Sequence, residues 1–404
     1  MSLIVDALLL AQSLTIFLLG GYEYLTLMHF PVLPTVTSVV SDPPLVSIIL
    51  PVRNQADTVT GCIESLTHLD YPNKEIIVVE GGSTDGTREI LQTYQDKIRL
   101  VDEEALPLGW VGKNRACHLG YLKAQGQLLL FTDGDSVHSY DSLTRTVNYL
   151  QSSGADMFTL APKPILQSFW EKLLQPPIFL LIMLFIGGKW VNDDKRLNAL
   201  GNGQYMLFRR EAYEKVGGHK AVRDKIVEDY SLARLLKKAG LKLRVVTAPD
   251  AVGVRMYSSL GEIWKGWRKN FYTVAGDHAT TRAILRLILM FTFMVLPFII
   301  FVYGLILALT NPFNIILFTG AFMSAILWAG ILVLDRSIGV SPVYALLFPV
   351  AILIYMGIGV DSTVRGALGL GFPWKGRVYG KAVQAPLEAQ NSLNPDVWKL
   401  SSNP

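Results

Sequence analysis

Four long apolar runs, one at the start of the chain and three close together near its end, constrain this sequence more than any other feature. Residues 4–28 carry strongly polar interruptions only at Asp6, Gln12 and Glu23. The run is near the roughly 20 residues needed to cross a hydrocarbon core of about 30 Å. The other three lie at about 283–309, 313–334 and 342–360, each long enough to span with some tilt. A signal peptide would open on basic residues, whereas this N-terminus has Asp6 and no Lys or Arg before the core. The first run therefore reads as an uncleaved anchor with its N-terminus outside.

Half of the 404 residues are hydrophobic and 17% are charged, with a mean hydropathy of +0.34. A soluble protein carries about a quarter charged residues, so a fully water-soluble globule and a disordered chain are both excluded. What remains is a membrane protein with a soluble body. The net charge of +4 and the lack of any dense basic run argue against nucleic acid as a partner. Cys62 and Cys117 lack metal-ligand spacing and suit a reducing cytoplasm.

Lys265, Arg268, Lys269, Arg282 and Arg286 flank the first of the three late runs, which places the body before them on the cytoplasmic side. An anchor plus three crossings would then leave Arg365, Lys375, Arg377 and Lys381 outside, against the same bias. Either the last run, broken by Pro349, is re-entrant, or one span is misassigned. A further run at 178–186, between Pro176/Pro177 and Gly187/Gly188, is too short to cross. It reads equally as a helix in the membrane interface or as a buried core helix.

Between these ends, short β-branched runs alternate with amphipathic segments. VSIILP, EIIVV, IRLV and LLLFT are nearly continuous in apolar character, as strands covered on both faces should be. Helical segments at about 55–68, 85–95 and 111–124 separate them. This βαβα order predicts an α/β fold with a doubly wound, mostly parallel sheet, so chemistry is sought just after each strand. Farther on, GQYMLFRR and LKLRVV read as strands and 227–239 as a helix. The tail after Gly380 is polar and predicted to be poorly ordered.

The residues after the strands carry the chemistry. PVRN, opening on Pro51, follows the first strand, and EGGSTDGT, opening on Glu80, follows the second. A glycine-bearing turn with Ser83, Thr84 or Asp85 as N-cap accounts for most of the latter; in addition, Glu80 could hydrogen-bond a nucleoside. After the fourth strand, FTDGDS sets Asp133 and Asp135 one glycine apart. Carboxylates that close repel, and a shared magnesium or manganese ion completed by substrate phosphates resolves the conflict. Glu228 and Asp229 open a helix, where acidic residues favour the macrodipole. Beside a metal-nucleotide site, the second of them could also serve as a general base. EIWKGWRKNFY, just before the membrane, holds ordinary interface anchors. Its Lys265 and Arg268 could also face a departing diphosphate, and Trp264 or Trp267 could stack on a sugar. Lys113 in GWVGKNRA could reach a phosphate or simply be a solvated lysine at a helix start. His138, His219 and His278 have no metal-site spacing and read as structural.

Taken in order, PVRN, VVEGGSTDGT, PLGWVGKNRA, LLLFTDGDSVH, NGQYMLFRREAYEKVGGH, VEDYSLA, VRMYSSLGEIWKGWRKN and the C-terminal FPWKGRVY resemble the membrane-bound family-2 glycosyltransferases of GT-A fold. Within them the sequence is most similar to the diaponeurosporenoate (carotenoid acid) and hopanoid-associated glycosyltransferases. The resemblance implies inverting transfer of a sugar from a nucleotide-diphosphate sugar, usually a UDP-sugar, to a membrane lipid at the cytoplasmic face, with Mg2+ or Mn2+. Position by position, Glu80 stands where the family usually has the first Asp of its nucleotide-binding pair; with it, Pro51, Lys113, Asp133, Lys265 and Arg268 make up the candidate donor-binding set. The resemblance makes Asp133 and Asp135 the metal pair and Asp229 the base.

Three departures stand out: Gly81 replaces a frequent Asp, Gln55 replaces a frequent Glu, and the Gln/Arg-X-X-Arg-Trp box of processive synthases appears as Lys265, Arg268 and Lys269 without its Trp. The last argues for single-sugar transfer; a polysaccharide synthase and a non-catalytic scaffold are the alternatives. The expected layout is an anchor at 1–30, a GT-A body at 45–275 with the possible interface helix 178–186, membrane segments at 283–360 and a basic tail at 361–404. The expected partners are the donor, a lipid acceptor and the bilayer, without nucleic acid or an obligate protein partner.

Overall fold

The computed structural model describes residues 3–28, 30–35, 42–103, 105–186, 188–274 and 279–380. His278 and the tail beyond Gly380 lie outside them. The body is built on a seven-stranded sheet of β1 (Val46–Val52), β2 (Lys74–Glu80), β3 (Arg99–Asp102), β4 (Leu128–Phe131), β5 (Met157–Ala161), β6 (Met206–Arg209) and β7 (Leu243–Thr247), in the order β3-β2-β1-β4-β6-β5-β7. Every pair is parallel except the two that β6 makes with β4 and β5, so the sheet is mixed and mostly parallel. Val46, Ile48, Ile49 and Leu50 of β1 are fully buried, each burial being worth about 1.5–3 kcal/mol. They are covered by helices such as Val59–Thr67 on one face and Gly112–Lys123 on the other.

The chain moves outward from β1 to β2 and β3, then returns to place β4 on the other side. β1 pairs with β4 only through Ile49↔Phe131, but with β2 as far as Val52↔Glu80. Pro51 therefore sits where β4 has already turned away, and its missing N–H costs no ladder bond on that side. The parting strands open a crevice at their carboxyl ends, the place where doubly wound sheets bind ligands.

Among the described residues, four helices are long and apolar enough to cross a membrane: Leu3–Thr26, Ala279–Leu307, Ile315–Ser337 and Phe348–Ala367. The last starts later than expected because Val343–Leu346 forms a short helix of its own after Pro342. The run at 178–186 belongs to a longer helix, Phe169–Ile186, which continues through Pro176 and Pro177. Its Leu173, Leu174, Ile178 and Leu181 are buried in one cluster with Trp267 and Ile358. Directly after the first helix, Leu33 N–H donates to Thr247 O (3.0 Å) and Thr247 N–H to Pro31 O (2.8 Å), tying the anchor to β7 at the sheet edge.

The end of the described chain returns to the body. Phe348–Ala367 lies along the helix Leu260–Thr273: Asp361 accepts from Trp264 Nε1 (2.8 Å) and Arg268 Nη1 (3.1 Å). Phe372–Trp374 and Arg377–Tyr379 then form an antiparallel hairpin, in which Arg377 Nη2 meets Glu103 Oε2 at 3.1 Å.

Candidate active site

The loops after β1 and β2 are knitted to each other. Asn54 N–H donates to Ser83 Oγ (2.9 Å), Thr84 N–H to Asn54 Oδ1 (2.9 Å), Gln55 N–H to Thr87 Oγ1 (2.8 Å) and Ala56 N–H to Asp85 Oδ2 (3.1 Å). Arg53 donates to Gly81 O. Glu80 is buried, and both its oxygens accept from the loop's own amides: Oε1 from Ser83 N–H (2.6 Å) and Oε2 from Gly82 N–H (3.0 Å). Its observed work is to shape the turn. Asp85, expected as an N-cap candidate, accepts from Thr87 N–H and lies below the usual carboxylate range, its hydrogen bonds outweighing desolvation.

After β4, Asp133 Oδ1 pairs with Lys113 Nζ at 2.7 Å. Asp135 Oδ1 is buried with no hydrogen-bond partner. Burial, reinforced by the Asp133 charge, pushes the Asp135 carboxyl up to about 7. The Lys113 ammonium also meets Glu228 Oε1 at 2.8 Å. Desolvation opposes its charge, but Asp133 and Glu228 outweigh it and hold the pKa above the ordinary lysine value. Asp229 accepts from Gly203 N–H through Oδ2 (2.9 Å) and from Tyr230 N–H through Oδ1 (2.7 Å). Burial first and Glu228 second push its carboxyl up to about 6. A Cβ on Gly203 would lie 2.5 Å from Lys113 Nζ and 3.2 Å from Glu228 Oε1. Glycine in NGQ is thus what lets the carboxylates and the lysine close together.

Asp133, Asp135, Glu228 and Asp229 therefore share one site with Lys113, and Pro51 borders it at the strand crevice. Lys265 and Arg268 do not join them. Lys265 is exposed, and Arg268 is spent on Asp361. For Arg268 the reason is helical phase: successive residues turn about 100° around the axis, and the next residue, Lys269, faces inward instead, whereas Lys265 shares the side of Lys269 but lies one turn nearer the helix start. Burial pulls the Lys269 ammonium down to about 8, against the opposing attraction of Glu228, Asp229 and Asp133. Trp264 and Trp267 bond Asp361 and Gln175, so neither indole N–H is free for a sugar. Lys269, Glu228 as the partner of Lys113, and the hairpin at 372–379 are the site residues that motif reading missed. The hairpin did have a signal, since FPWKGRVY stood out in sequence without a role.

His138 contacts Thr132 Oγ1 (3.1 Å), and burial lowers it to about 4; His219 contacts Tyr213 (2.8 Å). Both are neutral packing residues. No cluster of three or more His, Cys, Asp or Glu suited to a metal occurs among the described residues. The fit to a divalent cation rests instead on the Asp133–Asp135 pair, with its orphaned buried oxygen. Two hard oxygen donors are what a Mg2+ or Mn2+ ion completed by phosphates takes from protein.

The mostly parallel sheet with acidic residues at its carboxyl crevice is a GT-A fold. The fold is shared with a mannosyltransferase from Pyrobaculum calidifontis, solved in complex with GDP-Man and Mn2+. The two are 20% identical with a TM-score of 0.50, over 89% of this chain and 98% of that one. Residues 47–217 match the family Glycosyl transferase family 2. The 4,4'-diaponeurosporenoate glycosyltransferases of Staphylococcus aureus strains USA300 and NCTC 8325 are each 28% identical over 236 residues, or 57% of this chain. The match spans 61% of the length of those relatives.

Proposed function

We propose that the protein is an inverting glycosyltransferase that moves one sugar from a nucleotide-diphosphate sugar to a membrane lipid. The observation that carries this reading is the gathering of Asp133, Asp135, Glu228 and Asp229 around Lys113 at the strand crevice. In the mechanism, Asp229 takes the proton from the acceptor hydroxyl. The acceptor oxygen forms its bond to the anomeric carbon as the bond to the diphosphate oxygen breaks on the opposite face. The electron pair leaves with the nucleoside diphosphate. Asp133 and Asp135 would hold Mg2+ or Mn2+, which neutralises diphosphate charge when bound. Lys269, rather than Lys265 or Arg268, supports the departing diphosphate, while Pro51 and the Glu80 turn form the nucleoside wall. A lipid acceptor is supported by the carotenoid acid in the relatives' name and by the helices packed beside the site.

The topology belongs to the same proposal. Body and hairpin touch, so an even number of crossings separates them. Ala279–Leu307 and Ile315–Ser337 make that pair, and Phe348–Ala367 lies in the interface along Leu260–Thr273. Tyr344, between the second and third of these helices, packs against Phe169 on the body side with ring centroids 5.7 Å apart. All three basic residues Arg365, Lys375 and Arg377 then fall on the cytoplasmic side with the body.

The test is radiolabelled UDP- or GDP-sugar supplied with Mn2+ to membranes containing the full chain. Label in extracted lipid is expected. Label in long water-soluble polymer would replace this reading with a polysaccharide synthase, and binding without transfer would replace it with a scaffold. For topology, Asn311→Cys should react with an impermeant maleimide on intact cells, and Ser341→Cys only after permeabilisation. Outside labelling of Ser341→Cys would overturn the two-crossing arrangement.

A further inference from the structure

The C-terminal hairpin lies across the carboxyl ends of the sheet, distant in sequence from the residues it meets there. At one end Arg377 pairs with the buried Glu103, and its guanidinium fills the space a Cβ on Gly112 would need. At the other, Trp374 stacks on the Lys269 ammonium, 5.0 Å from the ring centre. Between them the turn residues are Lys375 at φ 44° and Gly376 at φ 74°, the positive-φ pair of a two-residue type I′ hairpin. Arg53, at the end of β1, donates from Nε to Lys375 O (3.2 Å) and so fixes the tip beside the strand crevice.

A non-glycine residue in that conformation is uncommon, and Asn, Asp or Gly would adopt it at less cost. Lysine is therefore a choice that the turn itself does not explain. The carboxylates acting on its ammonium are Asp135 and Asp133, then Asp85, yet no ion pair within 4.0 Å involves Lys375 among the described residues. An exposed cation at the hairpin tip thus lies within electrostatic reach of the metal-binding pair without pairing with it. Asp135 presents an unpartnered oxygen within the same site.

We propose that Lys375 binds the diphosphate of the donor, closing from the hairpin side an anion site whose other wall is the Asp133–Asp135 metal pair. An anionic diphosphate in that gap would meet the cation on one side and the ammonium on the other. The charge-assisted contacts would then be made to phosphate and not to base or ribose. Trp374 is a positioning residue in the same device, holding Lys269 toward Glu228 and Asp229 by cation–π attraction. The inference rests on the glycosyltransferase reading and extends it: the segment that follows the last membrane-associated helix completes the donor site.

The test is calorimetry on the full-length protein in detergent with Mn2+, titrating UMP and UDP, and GMP and GDP, into wild type, Lys375→Asn and Lys375→Arg. Asn suits the positive φ, so Lys375→Asn removes the charge without straining the turn. The expected result is diphosphate affinity about tenfold or more weaker in Lys375→Asn, monophosphate affinity within about twofold of wild type, and most of the loss restored in Lys375→Arg. Undiminished diphosphate affinity in Lys375→Asn would overturn this inference alone. Tighter diphosphate binding would also overturn it and make the hairpin a plug. Failure of the wild type to bind any nucleotide would overturn the glycosyltransferase reading, and this inference with it.

Discussion

The acidic and basic sides of the site are built in different ways. Asp133 and Asp135 stand at the end of β4, and Asp229 at the start of the helix Glu228–Lys238, so the backbone alone sets where they are. Lys269 and Lys375 arrive on a helix face and a hairpin tip held by contacts with distant elements. The second side should therefore depend more on its packing neighbours than the first. A strand end is a fixed point of a sheet, whereas a helix face or a late hairpin has an orientation only once it is packed.

The largest effect should come from the acidic side. Asp229→Asn is expected to lower transfer by about 10²–10⁴-fold, the range for loss of a general acid–base group, and Asp135→Asn to lower it by weakening the metal pair, with the fold retained by circular dichroism in both. Near-wild-type transfer in a folded Asp229→Asn would remove the base assignment. On the basic side, Lys269→Met is expected to cost about 10–100-fold in kcat/KM, as loss of a charge-assisted contact does. Lys265→Ala, one helical turn nearer the helix start and exposed, should stay within about twofold. A reversed ranking of those two lysines would mean that the donor lies nearer the start of this helix. Arg268→Ala separates support from chemistry: its Asp361 partner also holds Trp264 and Arg365. Stability should fall by about 1–3 kcal/mol, while the folded fraction keeps its kcat.

This asymmetry also explains what could be read in advance. β1 to β4 were legible because their apolar runs are uninterrupted, and the carboxylates because they directly follow those strands or open a helix. The mostly parallel sheet was legible from the βαβα order, though the antiparallel β6 was not, since no local pattern records which way a strand runs. Lys265 and Arg268 were expected at the site because a box of basic residues marks a helix without giving its phase. One step of about 100° puts Arg268 against Asp361 and brings Lys269 inward. Glu80 sits at the expected strand end, but the amides of Gly82 and Ser83 that claim its oxygens belong to a turn whose shape the sequence does not state. The hairpin at 372–379 was recognisable as a motif, yet its partners Arg53, Glu103 and Lys269 lie too far away in the chain for spacing to connect them.

The smallest effect is also the most discriminating, because it is a shift in position and not a loss. A base must be ionised to take a proton, and Asp229 sits at about 6 because burial and the Glu228 charge both raise it, while Lys113 lowers it. With the folded pKa raised, kcat/KM should climb with pH up to about 6 and level off above it. Glu228→Gln removes a charge that raises the pKa, so the acid limb should move to lower pH. Lys113→Met removes one that lowers it, so the limb should move to higher pH. Both variants also break the ion pair at 2.8 Å that joins Lys113 to Glu228, so mere loosening of the site would reduce activity in each without opposite displacements. Limbs that move apart in the two variants would therefore locate the titrating group between them, at Asp229, and limbs that stay together would assign the proton to a residue elsewhere.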